Sequence, residues 1–388
     1  MRIALVTNIL PPYRVPVFEA LAATPGWRLR VLVSAENEFD RGWRVRRGGL
    51  DVERIPGPAL LRRVTTRGPA AAEQLVTLHL PLALPAALAR FAPDVVVSGE
   101  LGPRTALALL SCGLRRVPLV IWSYHSRASA SQAGRLRRAL WRALLSRADA
   151  VVGMGAQARE VLRGLGVPEG RLFDAPNAHD PERLGKAAAA LPDREALRAA
   201  LCAGHGCRER IALVAGRLVP VKGIPQLLQA WDALAPDLRD TSTLLFVGDG
   251  PLAERLRREA GARARGEIVP LPAVQPEALA RFYVASDLLL FPSLGDTWGL
   301  VVNEAMECGL PVLCSRLAGC ADDLVREGWN GWLCDPSEPG PFAGALARAL
   351  ATPDLAALGR RARETARRFG PEAMAAGLRR AIAHAARA

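Results

Sequence analysis

Phe291-Pro292-Ser293-Leu294-Gly295-Asp296-Thr297-Trp298-Gly299-Leu300-Val301-Val302-Asn303-Glu304-Ala305-Met306 is the stretch on which the reading of this chain turns. An apolar run ends at Pro292, and a helical pattern starts near Gly299. This is a strand, a glycine-punctuated loop and a helix. Free N–H groups of Gly299 and Leu300 at the helix start favour an anion. Asp296 lies in the loop just ahead of them, and Glu304 lies further along the helix. One carboxylate can meet hydroxyls at the loop, and the other can meet hydroxyls beside the helix. The plainer readings are a helix cap for Asp296 and a solvated helix residue for Glu304.

Upstream, the run Ile211–Ala215 leads into Gly216-Arg217-Leu218-Val219-Pro220-Val221-Lys222-Gly223, and a helix follows. In an open α/β sheet, ligands sit at the carboxyl ends of strands. Arg217 and Lys222 in that loop suit a diphosphate. Lys222 is one of two lysines in a chain that otherwise uses arginine, so a compact point charge is indicated here. Phe246-Val247-Gly248-Asp249-Gly250-Pro251 also follows a strand. Gly248, Gly250 and Ala253 match a dinucleotide fingerprint only formally, because the strand is not the first of its domain. A nucleotide can still stack over such a turn, which makes Gly248, Asp249 and Gly250 candidates. Otherwise it is a plain tight turn.

The same alternation of strand and helix runs through the whole chain. Strands are expected at Arg2–Thr7, Arg28–Ser34, Asp94–Ser98, Pro118–Trp122 and Asp149–Gly153. They resume at Ile211–Ala215, Thr243–Val247, Glu267–Val269, Asp287–Phe291 and Pro311–Cys314. Their Val, Leu and Ile content is that of strands buried on both faces. Trp43–Pro56 is less regular and is read as holding extra strands. Helices are expected between the strands, including Arg135–Arg147. Residues 176–192 are rich in turn formers and are read as a linker. The end is read as helical from Phe342 to Ala388, with a break at Gly370-Pro371. Two successive βαβ series give an α/β chain of two Rossmann-like, doubly wound domains facing across a cleft. The expected division is residues 1–180, residues 181–370, and a terminal helix at 371–388 that packs back on the first domain.

The composition agrees with this reading. The chain has 388 residues, half of them hydrophobic and 23% charged, which excludes a disordered or coiled-coil chain. Its seven cysteines are odd in number and form no C-x-x-C, so neither a disulfide framework nor a zinc ribbon is indicated. No run is long enough to span a membrane, and Ile3–Val6 is too short for a signal peptide. The net charge of +13 is uneven. Residues 1–190 hold 27 basic and 15 acidic residues, whereas the rest is nearly balanced. A basic half points to an anionic partner.

The three motifs, in this order and spacing, resemble the donor half of the family 4 glycosyltransferases of the GT-B fold. Gly309-Leu310-Pro311-Val312, Gly328-Trp329-Asn330-Gly331 and Pro176-Asn177-Ala178-His179-Asp180 resemble the same family, the last its hinge segment. The resemblance is strong over about residues 170–335 and weaker over 1–170. It implies a retaining transferase moving a sugar from a nucleotide-sugar donor to a hydroxyl acceptor, without obligatory metal or other cofactor. It also implies bacterial glycan or glycolipid assembly. Arg217 and Lys222 would bind the donor diphosphate, with help from the Gly299 and Leu300 amides. Glu304 would hold the ribose, and Asp296 would contact the transferred sugar. The family usually has Glu at the position of Asp296, which puts the donor sugar's identity or pose in question. No ligand spacing for a metal is seen.

The first half offers less. The loop Asn8–Arg14 follows the first strand. His125, in Trp122-Ser123-Tyr124-His125-Ser126, matches a position where relatives place a histidine near the reacting sugar. Its plainer reading is structural. Glu100 ends a strand and is a candidate for acceptor hydroxyls. Arg135–Arg147 reads as a basic amphipathic helix, either an ordinary surface helix or one that lies on an anionic membrane. The expected partners are a nucleotide-diphosphate sugar, a glycan or lipid-linked acceptor and an anionic membrane surface, with no nucleic acid. The expected location is cytoplasmic, peripheral on the inner face of the cell membrane. The competing readings are another GT-B enzyme, such as a nucleotide-sugar epimerase, and a non-catalytic nucleotide-binding protein.

Overall fold

The computed structural model describes residues 1–37, 45–65 and 73–387. They fall into two compact units, one of residues 1–65, 73–178 and 369–387 and one of residues 179–368.

The first unit contains β1 (Arg2–Thr7), β2 (Arg28–Val33), β3 (Asp51–Arg54), β4 (Ala59–Thr65), β5 (Glu73–His79), β6 (Val95–Gly99), β7 (Leu119–Ser123), β8 (Ala150–Gly153) and β9 (Leu172–Asp174). Seven of these form one parallel sheet in the order β3-β2-β1-β6-β7-β8-β9, and β4 and β5 form a separate antiparallel hairpin. The order reverses between β1 and β6, which makes the carboxyl ends of those two strands this sheet's ligand-binding position. The sheet is apolar on both faces. Ile3, Leu5, Val97 and Val120 pack on one side, and Ala4, Val6, Val96 and Ile121 on the other. The helix Pro371–Ala385 belongs to this unit and buries Met374, Leu378 and Ile382 in its core. In the irregular stretch, β3 forms; Trp43 and Arg44 lie outside the described residues.

The second unit contains β10 (Arg210–Ala215), β11 (Ser242–Val247), β12 (Ile268–Leu271), β13 (Leu288–Phe291), β14 (Val312–Ser315) and β15 (Gly331–Cys334). They form one parallel sheet in the order β12-β11-β10-β13-β14-β15. Here the reversal lies between β10 and β13, the two strands that feed the Arg217–Lys222 loop and the Asp296 loop.

Two expectations need correction. Residues 176–192 are not a plain linker, because Pro181–Ala189 is a helix. The Asp180 carboxylate accepts the Arg183 N–H at 3.0 Å, and Pro181 occupies the first helical position. The end of the chain is not one helix broken once. It is Pro339–Ala351, Leu355–Ala366 and Pro371–Ala385, the first ending before Thr352-Pro353.

Candidate functional site

Three loops meet at the reversal point of the second sheet. After β10, Gly216 leads to Arg217 and to the short turn Pro220–Lys222, and the helix Ile224–Asp232 follows. After β11 comes Gly248–Gly250. After β13 comes Pro292–Gly299, leading into the helix Leu300–Glu307.

Backbone hydrogen bonds knit the loops together. The Leu294 N–H donates to the Val221 carbonyl at 2.8 Å, and Leu218 N–H to the Asp249 carbonyl at 2.8 Å. Leu252 N–H returns to the Leu218 carbonyl at 3.0 Å, and Gly319 N–H donates to the Asp296 carbonyl at 3.0 Å. Glycines are required by this packing, Gly223 and Gly299 among them. A Cβ on Gly223 (φ +69°) would stand 1.8 Å from the Pro292 carbonyl oxygen, and one on Gly299 (φ +106°) would stand 2.7 Å from the Phe291 ring.

This brings Lys222 and Asp296 into a direct ion pair. The Lys222 ammonium also lies 5.0 Å from the centroid of the Phe291 ring. The other Asp296 oxygen accepts the Trp298 N–H at 3.1 Å. Asp296 is therefore not the cap of the following helix, whose N-cap is Gly299. Burial pushes the Asp296 carboxyl up, but Lys222, the Trp298 amide and Arg217 outweigh it and hold it below the usual carboxylate range. Arg217 is exposed beside them. No side chain caps the helix start at Gly299 and Leu300 among the described residues. The Trp298 indole N–H donates to Asn303 Oδ1 at 2.7 Å, both buried, and this pins the loop to the helix it precedes. Asp249 is exposed and gives one carboxylate oxygen to its neighbour, the Gly250 N–H, at 2.7 Å.

Glu304 points elsewhere on the same helix. Its Oε2 accepts the Tyr283 hydroxyl at 2.9 Å. Burial pushes its carboxyl up, and Tyr283, Arg183 and His179 counter only part of that. Tyr283 escaped the sequence reading. Its signal was a tyrosine inside an apolar helix, in a chain with three tyrosines. Glu307 was also missed. It is buried next to His179, 3.4 Å from Nε2, with Arg363 and Arg367 at 3.7 and 3.8 Å. His179 is thus committed to Glu307.

His125 belongs to the first unit, two residues beyond β7. Its ring stacks on Trp141 with centroids 4.3 Å apart. Burial, with Arg137 nearby, lowers its pKa to about 4. The folded state therefore holds this ring neutral, whereas an unfolded chain takes the proton near 6.5. Acidification from about 6.5 to 4 should favour unfolding through this group. An NMR titration of the imidazole should give a midpoint near 4; a midpoint near 6.5 would contradict the burial.

Two family models match the chain: "Glycosyltransferase Family 4" over residues 19–183 and "Glycosyl transferases group 1" over residues 204–369. The chain belongs to the family 4 glycosyltransferases. A D-inositol 3-phosphate glycosyltransferase of Mycolicibacterium vanbaalenii is 37% identical over 213 residues, 50% of this chain and 46% of the relative. The chain spans about half the length or less of the curated relatives it matches. Among solved structures, Anabaena HepE in complex with UDP superposes with a TM-score of 0.72 at 20% identity, covering 99% of this chain and 100% of that one. Sucrose-phosphate synthase from Thermosynechococcus elongatus gives 0.69 at 22%, covering 98% of each. At such identities the likeness shows the GT-B fold of this family 4 member.

Proposed function

We propose that this glycosyltransferase moves a sugar from a nucleoside-diphosphate sugar to a hydroxyl acceptor, with retention at the anomeric carbon. The observation that carries this reading is the Lys222–Asp296 pair set beside an uncapped helix start at the sheet's reversal point. Arg217, Lys222 and the Gly299 and Leu300 amides would hold the diphosphate and stabilise it as it leaves. Glu304 would accept ribose hydroxyls, with Gly248–Gly250 under the nucleotide. Asp296 would face the anomeric carbon, where positive charge develops. His125, neutral, would offer a hydrogen bond from the acceptor side. HepE's complexes with UDP and with UDP-glucose make UDP-sugars the first donors to try.

The test is nucleoside-diphosphate release from a panel of nucleotide sugars, with and without acceptor, and NMR of the product anomer. Release dependent on acceptor, with the donor's anomeric configuration kept, supports the reading. Sugar isomerisation without acceptor would make the protein an epimerase. The proposed clamp consists of protein cations and amides, so transfer should persist in EDTA. Complete loss restored by Mg²⁺ or Mn²⁺ would contradict the clamp.

We further propose that the first unit works against an anionic membrane on the cytoplasmic side, on a lipid-linked or glycan acceptor. Among the described residues no helix is long and apolar enough to cross a membrane. The helix Arg135–Leu145 has one broad apolar arc, of which only part is covered. Trp141, Leu144 and Leu145 are buried, whereas Leu136 and Leu140 are 90% and 50% exposed. The sequence pattern shows the arc but not how much of it the fold covers. Arg135, Arg138 and Arg142 share another side of the helix, so it has a basic side and a partly exposed apolar one, as an interfacial helix has. Replacing Arg135, Arg137, Arg138 and Arg142 with Gln should weaken binding to anionic vesicles by about 1 kcal/mol per charge. Sedimentation with phosphatidylglycerol vesicles checks this; no binding by the wild type would leave a solvated helix.

A further inference from the structure

At the reversal point of the first sheet, Arg14 ends the short turn Pro12–Arg14 that follows β1. It is 8% exposed. Its guanidinium carbon lies 4.3 Å from the centroid of the Trp122 ring, 5.7 Å from that of Tyr124 and 6.0 Å from that of Tyr13. Among the described residues, no carboxylate lies within ion-pair distance of it. Its Nε and the indole Nε1 of Trp122 are both buried without a hydrogen-bond partner among those residues. A buried charge is costly unless it is paired, and ring stacking offsets only part of that cost.

The neighbouring carboxylate is already engaged. Glu100, just after β6, pairs with the buried Arg104 at 2.9 Å, and Arg104 also donates to the Gly99 carbonyl at 3.1 Å. Glu100 sits at φ +78°, a conformation that non-glycine residues keep at functional sites when the surroundings enforce it. The Glu100 N–H donates to the Trp122 carbonyl at 2.9 Å, which ties Glu100 to the strand whose Trp122 ring carries Arg14. Two arginines against one carboxylate leave this edge net positive.

We propose that Arg14 seats an oxyanion, and that the acceptor carries it as a phosphate or carboxylate group. The word acceptor rests on the transfer reading above; the anion site stands without it. Guanidinium groups take such oxyanions through paired, charge-assisted hydrogen bonds.

The experiment is calorimetric titration of the full chain with inorganic phosphate in saturating UDP, so that the diphosphate site is filled. The wild type should bind phosphate, Arg14→Gln should bind it about tenfold more weakly or worse, and Glu100→Gln should bind it several-fold more tightly. No phosphate binding by the wild type, or equal binding by Arg14→Gln, overturns the proposal. If Arg14→Gln does not fold, Glu100→Gln decides: tighter binding supports the site, and unchanged binding overturns it. An acetate titration separates a carboxylate-bearing acceptor from a phosphorylated one by which anion binds more tightly. UDP binding is read before phosphate is added. Its failure counts against the donor reading and leaves the comparison of Arg14 and Glu100 variants intact.

Discussion

Lys222→Ala is expected to keep the fold and to lower transfer by about 10²–10³, or roughly 2.7–4 kcal/mol, the usual loss for one preorganised charge facing a developing anion. The fold should survive because Lys222 stands at the mouth of the site, 22% exposed, rather than in the core. The rate should fall for two reasons. The leaving diphosphate loses a fixed cation, and Asp296 loses the charge that chiefly opposes its burial. The Asp296 carboxyl then rises, and its charge is held less firmly beside the sugar. Circular dichroism and kcat/KM on the pure variant check both parts. A folded variant within twofold of wild type would remove Lys222 from the clamp.

Asp296 and Glu304 are expected to fail in different ways. Asp296→Asn keeps an oxygen for the Trp298 N–H and removes the charge. Lys222 is then released from its partner, so nucleoside-diphosphate affinity should hold or rise. The anomeric carbon loses its facing carboxylate, so kcat should fall by about 10² or more. Glu304→Gln touches a part of the donor that does not react. It should weaken diphosphate affinity by about tenfold or more, as for a hydrogen bond to a charged group. Calorimetry with the free diphosphate beside steady-state kinetics separates the two patterns. Lost affinity with normal kcat in Asp296→Asn would reduce Asp296 to a brace for the loop. Asp296→Glu restores the commoner family residue and tests whether the missing methylene sets the donor sugar.

The parallel strands were legible because burial on both faces leaves unbroken runs such as Ile211–Ala215 and Leu288–Phe291. The loops at their carboxyl ends were legible because glycine, proline and isolated charges punctuate them. The edges were not. β9 has three residues, too few for a pattern, and the helix Pro181–Ala189 was hidden by the turn formers that cap it. At the site, residue types were readable and their pairings were not. Lys222 and Asp296 are 74 positions apart, and Tyr283 and Glu304 are 21 apart. Only the sheet's crossover between β10 and β13 brings the first pair together. The same blindness joined Leu136 and Leu140 to the buried Trp141, since periodicity shows that a helix has an apolar arc but not how much of it the fold covers.

The most direct test of the account is binding of UDP, GDP, ADP and dTDP to the wild type and to Lys222→Ala, in buffer containing EDTA. The account predicts that at least one diphosphate binds the wild type and that Lys222→Ala weakens it at least about tenfold. Binding of none, or equal binding by both proteins, would contradict it.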